Sequence, residues 1–156
     1  MAGSLQSSRR GTDTMNQDQG EHWRMLDHPA DILIEVWGDT LEELFVHGAE
    51  AFGCLVGESG PEETEEEVGV EAHGETEADL MIDWLRELLF LHETRRLVPT
   101  GARITELTST DLRGQVSVRR LRPDEVPPYE IKAVTYHGVF VDRTDQRCQT
   151  RVLFDV

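Results

Sequence analysis

Lysine is nearly absent from this chain. Lys132 stands alone beside 14 arginines, and 31 acids outweigh those 15 bases for a net charge of −16 over 156 residues. Strong direct binding of nucleic acid needs a basic face for phosphate contacts, so this composition argues against it. An acidic chain is better suited to a metal site or to docking on a basic protein. Cysteine is scarce too: Cys54 and Cys148 are 94 positions apart and neither belongs to a Cys-x-x-Cys pair. That spacing argues against a disulfide scaffold or a zinc site, and two reduced thiols are expected. No apolar run approaches the roughly 20 residues of a membrane-spanning helix. Both phosphate-cradling glycine patterns, G-x-x-x-x-G-K-[ST] and G-x-G-x-x-G, are missing. Ser59 and Cys54 have no evident nucleophile context.

The first 20 residues, MAGSLQSSRRGTDTMNQDQG, lack the apolar stretch of a secretion signal despite Arg9-Arg10. They read as a disordered arm or as added expression residues, with Met15 as an alternative start. One domain is expected over residues 21–156, in a cytoplasmic protein, and a hydrophobic content of 38 % suffices for one core.

Within that domain, Ile32–Trp37 reads as a largely buried strand ended by Gly38-Asp39-Thr40. Asp39 or Thr40 can cap a helix whose first turn holds Glu42 and Glu43, where the dipole favours acids. Leu41, Leu44, Phe45, Gly48, Phe52 and Leu55 form its apolar stripe, and it ends near Gly57. An acidic loop leads to a strand over Glu67–Ala72 and a turn at His73-Gly74. A second helix runs from about Glu77 to before Pro99. Its wide stripe through Leu80, Trp84, Leu88 and Leu91 predicts the more buried of the two helices. The remainder alternates as strands: Ala102–Thr110 and Leu112–Leu121 as a hairpin, then residues around Ile131–Val141, and Arg151–Val156 at the end. The fold class is α+β, a single domain with two helices packed on a mixed or antiparallel sheet.

The stretch LDHPADI, Leu26–Ile32, packs Asp27, His28 and Asp31 around Pro29 just before the first strand. Pro29 forbids helix and drives His28 towards extended backbone, so Asp31 stands at a strand mouth. One reading is an aspartate binding a neighbouring turn amide. The other is a site. If the last strand pairs beside the first, Asp31, Asp155 and the chain-end carboxylate on Val156 would meet, and three such groups repel one another without a cation. All-oxygen donors suit Ca²⁺, Mg²⁺ or Mn²⁺. Equally, Asp155 can be a solvated end residue. His22, His28 and His137 could join Asp27 in acid–base work, though surface histidines are the commoner case. Lys132 lies in a dense polar patch, KAVTYHG, which is either a turn or a second wall of the same mouth.

Taken together, LDHPADI, EVWGDTLEELF, DLMIDWLRELLFLHE, EIKAVTYHG and the terminal VLFDV resemble the archease family in order and spacing, from Trp23 to Val156. Archeases commonly have Thr where this chain has Pro29, a position that is not itself a ligand. The resemblance implies a small α+β protein that assists an RtcB-type RNA ligase by promoting guanylylation of the ligase and multiple turnover, in tRNA splicing and RNA repair. It implies a protein cofactor with no catalytic residue of its own. It also implies a divalent-metal site at Asp31, Asp155 and Val156; Asp27, His28, Lys132 and His137 are candidate partner-facing or supporting residues beside it. Two other classes compete: a stand-alone metal-dependent phosphoesterase using Asp27, His28 and Asp31, and a chaperone-like assembly factor.

Overall fold

The two helix starts are fixed by threonines. Thr40, in extended backbone at φ −130°, accepts a hydrogen bond from the Glu43 amide at 3.1 Å, while the Glu43 carboxylate accepts one from the Asp39 amide. Thr76 caps the second helix in the same way, through the Asp79 amide at 3.1 Å. Both satisfy amides that have no partner within the helix. The computed structural model describes residues 20–58, 64–144 and 146–156, and their side chains except at 136–140. In chain order the elements are β1 (Trp23–Leu26), β2 (Ile32–Gly38), α1 (Leu41–Val56), β3 (Glu66–His73), α2 (Glu77–Arg95), β4 (Leu97–Leu107), β5 (Asp111–Arg120), β6 (Ala133–Arg143) and β7 (Cys148–Asp155). The proposed N-terminal arm lies outside the described residues except for Gly20, and so does Ser59.

The strands make two antiparallel sheets, ordered β1–β2–β7–β6 and β3–β5–β4. Of the mixed and antiparallel alternatives, the antiparallel one is adopted, divided between two sheets. α1 packs on β2 of the first sheet and β4 of the second, and α2 on β6 and β3, so each helix bridges both sheets. The helices are joined by the Trp84 indole N–H, which donates to the Phe45 carbonyl at 2.9 Å inside the core. The Arg86 guanidinium donates to the Val134 carbonyl at 3.1 Å and ties α2 to β6.

Three sequence readings change. β1 was not foreseen, because the four residues WRML alternate too briefly to signal a strand. β4 begins at Leu97, immediately after the αL residue Arg96 (φ 55°) that ends α2, and it includes Pro99. Pro99 is tolerated because β4 is an edge strand and its register shifts between Pro99 and Gly101. Finally, α1 is the more buried helix, with ten buried residues of 16 against seven of 19 in α2. Its small residues explain this: a Cβ at Gly53 would overlap the Pro99 carbonyl, so α1 lies backbone to backbone on β4.

Two ion networks stitch the layers. On the first sheet Glu35 is 4 % exposed and sits in register between Arg24 and Arg151, at 2.8 and 3.3 Å. Deeper, Arg119 at the end of β5 pairs bidentately with Glu125 at 2.7 and 2.8 Å, both side chains 1 % exposed. Arg119 also donates to the Glu58 carbonyl, and Glu125 accepts the Glu58 and Arg122 amides. One pair therefore holds the end of α1, the end of β5 and the 121–131 connection. Hydrogen bonds from Arg119, helped by the two backbone amides, hold the Glu125 carboxyl at about 2 despite burial. A depressed carboxyl contributes stability above its unfolded value near 4.5 and loses it as pH falls through 4.5 towards 2. Glu125→Gln should destabilise the fold by about 3 kcal/mol, because the buried Arg119 charge then keeps backbone carbonyls but loses its carboxylate. It should also flatten the loss of stability below pH 4.5, as read by urea unfolding at a series of pH values.

Candidate functional site

LDHPADI is the connection of the β1–β2 hairpin, whose last pair before the turn is Leu26 with Leu33. The polar residues stand there because the chain leaves the sheet at Leu26 and re-enters it at Ile32. Asp27 and His28 are exposed, and Asp31 is half-buried where β2 begins. β2 pairs directly with β7 in antiparallel register, starting at Ile32 opposite Phe154. Asp31 directly precedes Ile32 and Asp155 directly follows Phe154, so both lie at the same end of the sheet. On the far side of β7, β6 pairs Ala133 with Asp155, and the Lys132 amide donates to the Asp155 carbonyl at 2.7 Å. Asp155 ends β7, and Asp31, Lys132 and Val156 directly flank the ends of β2, β6 and β7 at the same end of the sheet.

The packing beneath makes that end firm. Ile32, Val134 and Phe154 are all at most 5 % exposed, and they follow one another across β2, β7 and β6. Arg86 grips the Val134 carbonyl from α2. Asp155 and Val156 emerge into solvent from this buried row. Among the described residues, no ion-pair partner is found for Asp31 or Asp155. Carboxylates alone, were they to converge there, would make an oxygen-only donor set, whose chemistry fits a hard divalent cation and not a thiophilic one.

Other candidates fall differently. The side chain of His137 lies outside the described residues, although its backbone belongs to β6. His22 does not join Asp27. Its carbonyl accepts the Trp37 amide at 3.0 Å, which places it at the opposite end of β2. The reason is the antiparallel turn: β1 runs away from His22 towards Asp27, so the two residues sit at opposite ends of one short strand.

The sequence reading passed over an open cleft of about 530 Å³ on the second sheet, lined by Glu71, His73, Asp83, Glu106, Asp111 and Arg113 among others. His73 Nδ1 lies 2.9 Å from Asp111, whose other oxygen accepts the Thr110 hydroxyl at 2.8 Å. The signal was there, since β3 and β5 pair His73 with Asp111, but pairing partners are not visible before the topology is known. The hydrogen bond and charge of Asp111 raise the imidazole, and the same contact lowers the carboxyl.

Two antiparallel sheets bridged by two helices, with an acidic end on the four-stranded sheet, define a small two-layer α+β protein. The family model described as the Archease protein family matches residues 23–156. The protein archease of Methanopyrus kandleri is 36 % identical over 138 residues, covering 86 % of this chain and 99 % of that one. The protein archease of Archaeoglobus fulgidus is 33 % identical over 135 residues, covering 86 % and 98 %. In structure, the chain is similar to protein 1598 of Methanobacterium thermoautotrophicum, with a TM-score of 0.74 at 29 % identity over 86 % of this chain and 99 % of that one. A Thermotoga maritima archease described as a possible chaperone shares the fold, with a TM-score of 0.58 at 23 % identity over 84 % and 94 % of the two chains. The chain belongs to the archease family. Among its described residues, no helix is long and apolar enough to cross a membrane.

In an NMR titration the His73 imidazole should show a midpoint above its ordinary 6.5. Asp111→Asn should return it towards that value, since the hydrogen-bonded charge is then gone. An unchanged midpoint in the variant would refute the pairing.

Proposed function

We propose that this chain is a cytoplasmic, non-enzymatic activator of an RtcB-type RNA ligase, and that its acidic sheet end is the working surface. The single observation that supports this reading is the direct pairing of β2 with β7, which brings Ile32 and Phe154, the neighbours of Asp31 and Asp155 in the chain, together at one end of the sheet. Asp31, Asp155 and the Val156 carboxylate would hold a divalent ion: Ca²⁺, Mg²⁺ or Mn²⁺. Held by these residues, a divalent ion would supply charge neutralisation for nucleotidyl transfer. The chain's own residues do the rest. The buried row Ile32–Phe154–Val134 fixes the spacing of the carboxylates, and Asp27, His28 and Lys132 flank them as contacts for the ligase. A net charge of −16 speeds encounter with a basic ligase surface, an effect that salt weakens.

A chaperone reading, suggested by the description of the Thermotoga maritima protein, has less support. The large apolar side chains exposed among the described residues are Phe90, Val126 and Val156, scattered over α2, the 121–131 connection and the chain end. A holder of unfolded clients would present a contiguous apolar patch.

The test is ligase guanylylation in the presence of Asp31→Ala or Asp155→Ala protein. Each variant should lose most of its stimulation, by about tenfold or more, with its fold retained by circular dichroism. Wild-type stimulation by both variants would overturn the proposal. So would turnover of phosphoesters by the purified chain without a ligase, which would favour a hydrolase.

A further inference from the structure

At the end of β2 opposite Asp31, three potential ligands converge on the face of α1. His47 is 9 % exposed, and its Nδ1 lies 2.7 Å from the Trp37 carbonyl. A carbonyl oxygen only accepts, so Nδ1 carries the proton and Nε2 keeps its lone pair. Metal-binding imidazoles are commonly held in this way, one nitrogen anchored to a backbone carbonyl and the other left to coordinate. Glu50 lies three residues on, one turn along the same helix face. His22 comes from the residue before β1 and is anchored by the Trp37 amide, so both backbone groups of Trp37 serve this cluster. One ligand atom from each of His22, His47 and Glu50 lies within 4.8 Å of the other two.

We propose that His22, His47 and Glu50 form a second metal site, separate from the acidic sheet end, for a borderline divalent cation of the zinc class. Two imidazole nitrogens and one carboxylate oxygen suit zinc and leave a fourth position for water, whereas Ca²⁺ and Mg²⁺ favour oxygen alone. Six steps of extended chain lead from Asp31 to Trp37, so the two sites are roughly 20 Å apart along the strand. Coordination requires one movement. The His22 ring is stacked on His47, with centroids 3.9 Å apart and planes 5° apart. Ring lone pairs lie in the ring plane, so two parallel rings do not aim at one ion. A tetrahedral zinc with bonds of about 2.1 Å also sets its ligand atoms roughly 3.4 Å apart. His22 therefore turns out of the stack as the cluster contracts, which its half-exposed position permits, while α1 holds His47 and Glu50 in place. The ion would cross-link the start of β1 to α1.

Calorimetric titration of the full chain with Zn²⁺, in excess Mg²⁺ to occupy oxygen-rich sites, tests this. One Zn²⁺ should bind per chain. His22→Ala and Glu50→Gln should each weaken it by about tenfold or more, while Asp31→Asn and Asp155→Asn leave it unchanged. Co²⁺ in place of Zn²⁺ should give the intense visible absorption of a four-coordinate ion, lost in His22→Ala. The absence of Zn²⁺ binding would overturn the proposal. So would equal binding by wild type, His22→Ala and Glu50→Gln, or loss of binding in Asp31→Asn. Because the last outcome is separate from ligase stimulation, failure here leaves the activator reading standing.

Discussion

The antiparallel pairing of β2 with β7 is the constraint from which the rest of the molecule takes its order. These strands lie at the two ends of the domain's sequence, yet they form the centre of the four-stranded sheet, with β1 and β6 outside them. Their register, from Ile32–Phe154 to Gly38–Cys148, turns Ile32, Ile34, Val36, Val152 and Phe154 to the core, while Glu35 and Leu153 are also buried on these strands. A slip by one residue would turn Phe154 outward and carry Asp155 to the core side. The hydrophobic pattern that buries Ile34, Val36, Val152 and Phe154 therefore also sets where the acidic end lies. Packing and candidate site have one origin.

Charge is spent unevenly. Arginine, not lysine, supplies almost all the positive charge, and its planar guanidinium suits bidentate and cross-strand contacts. Arg119 is enclosed with Glu125, Arg24 and Arg151 flank Glu35, and Arg86 serves a backbone carbonyl. These arginines act inside the architecture. The acids at the end of β2 and β7 have no such partners among the described residues, so the excess negative charge is locally felt where strands β2, β7 and β6 terminate.

Much of this was legible in the sequence because the relevant signals are local. Thr40 with Glu43 and Thr76 with Asp79 announce helix starts through hydrogen bonds made within three residues. The turn residues around Asp111 announce a hairpin. The pairing of the last strand with the first could be posed as a condition, since the last strand is apolar enough to be central, but strand order is a long-range property. Long-range causes also hid the rest. The burial of α1 depends on Gly53 meeting Pro99 from another element. The division into two sheets depends on helices that bridge them. His47 and Glu50 did carry a local sign, two potential ligands three residues apart on one helix face. It was obscured because His47 lies within a helix read for its apolar stripe, and because His22 reaches it only through β1, a strand too short to foresee.

The scarcity of lysine has a practical corollary. Lys132 is exposed and directly precedes Ala133, the residue paired with Asp155. Amine-directed chemistry on the described residues therefore has a single side-chain target, and it sits at the acidic edge. A fluorophore or photo-crosslinker attached there would report from the candidate working surface without any engineered cysteine.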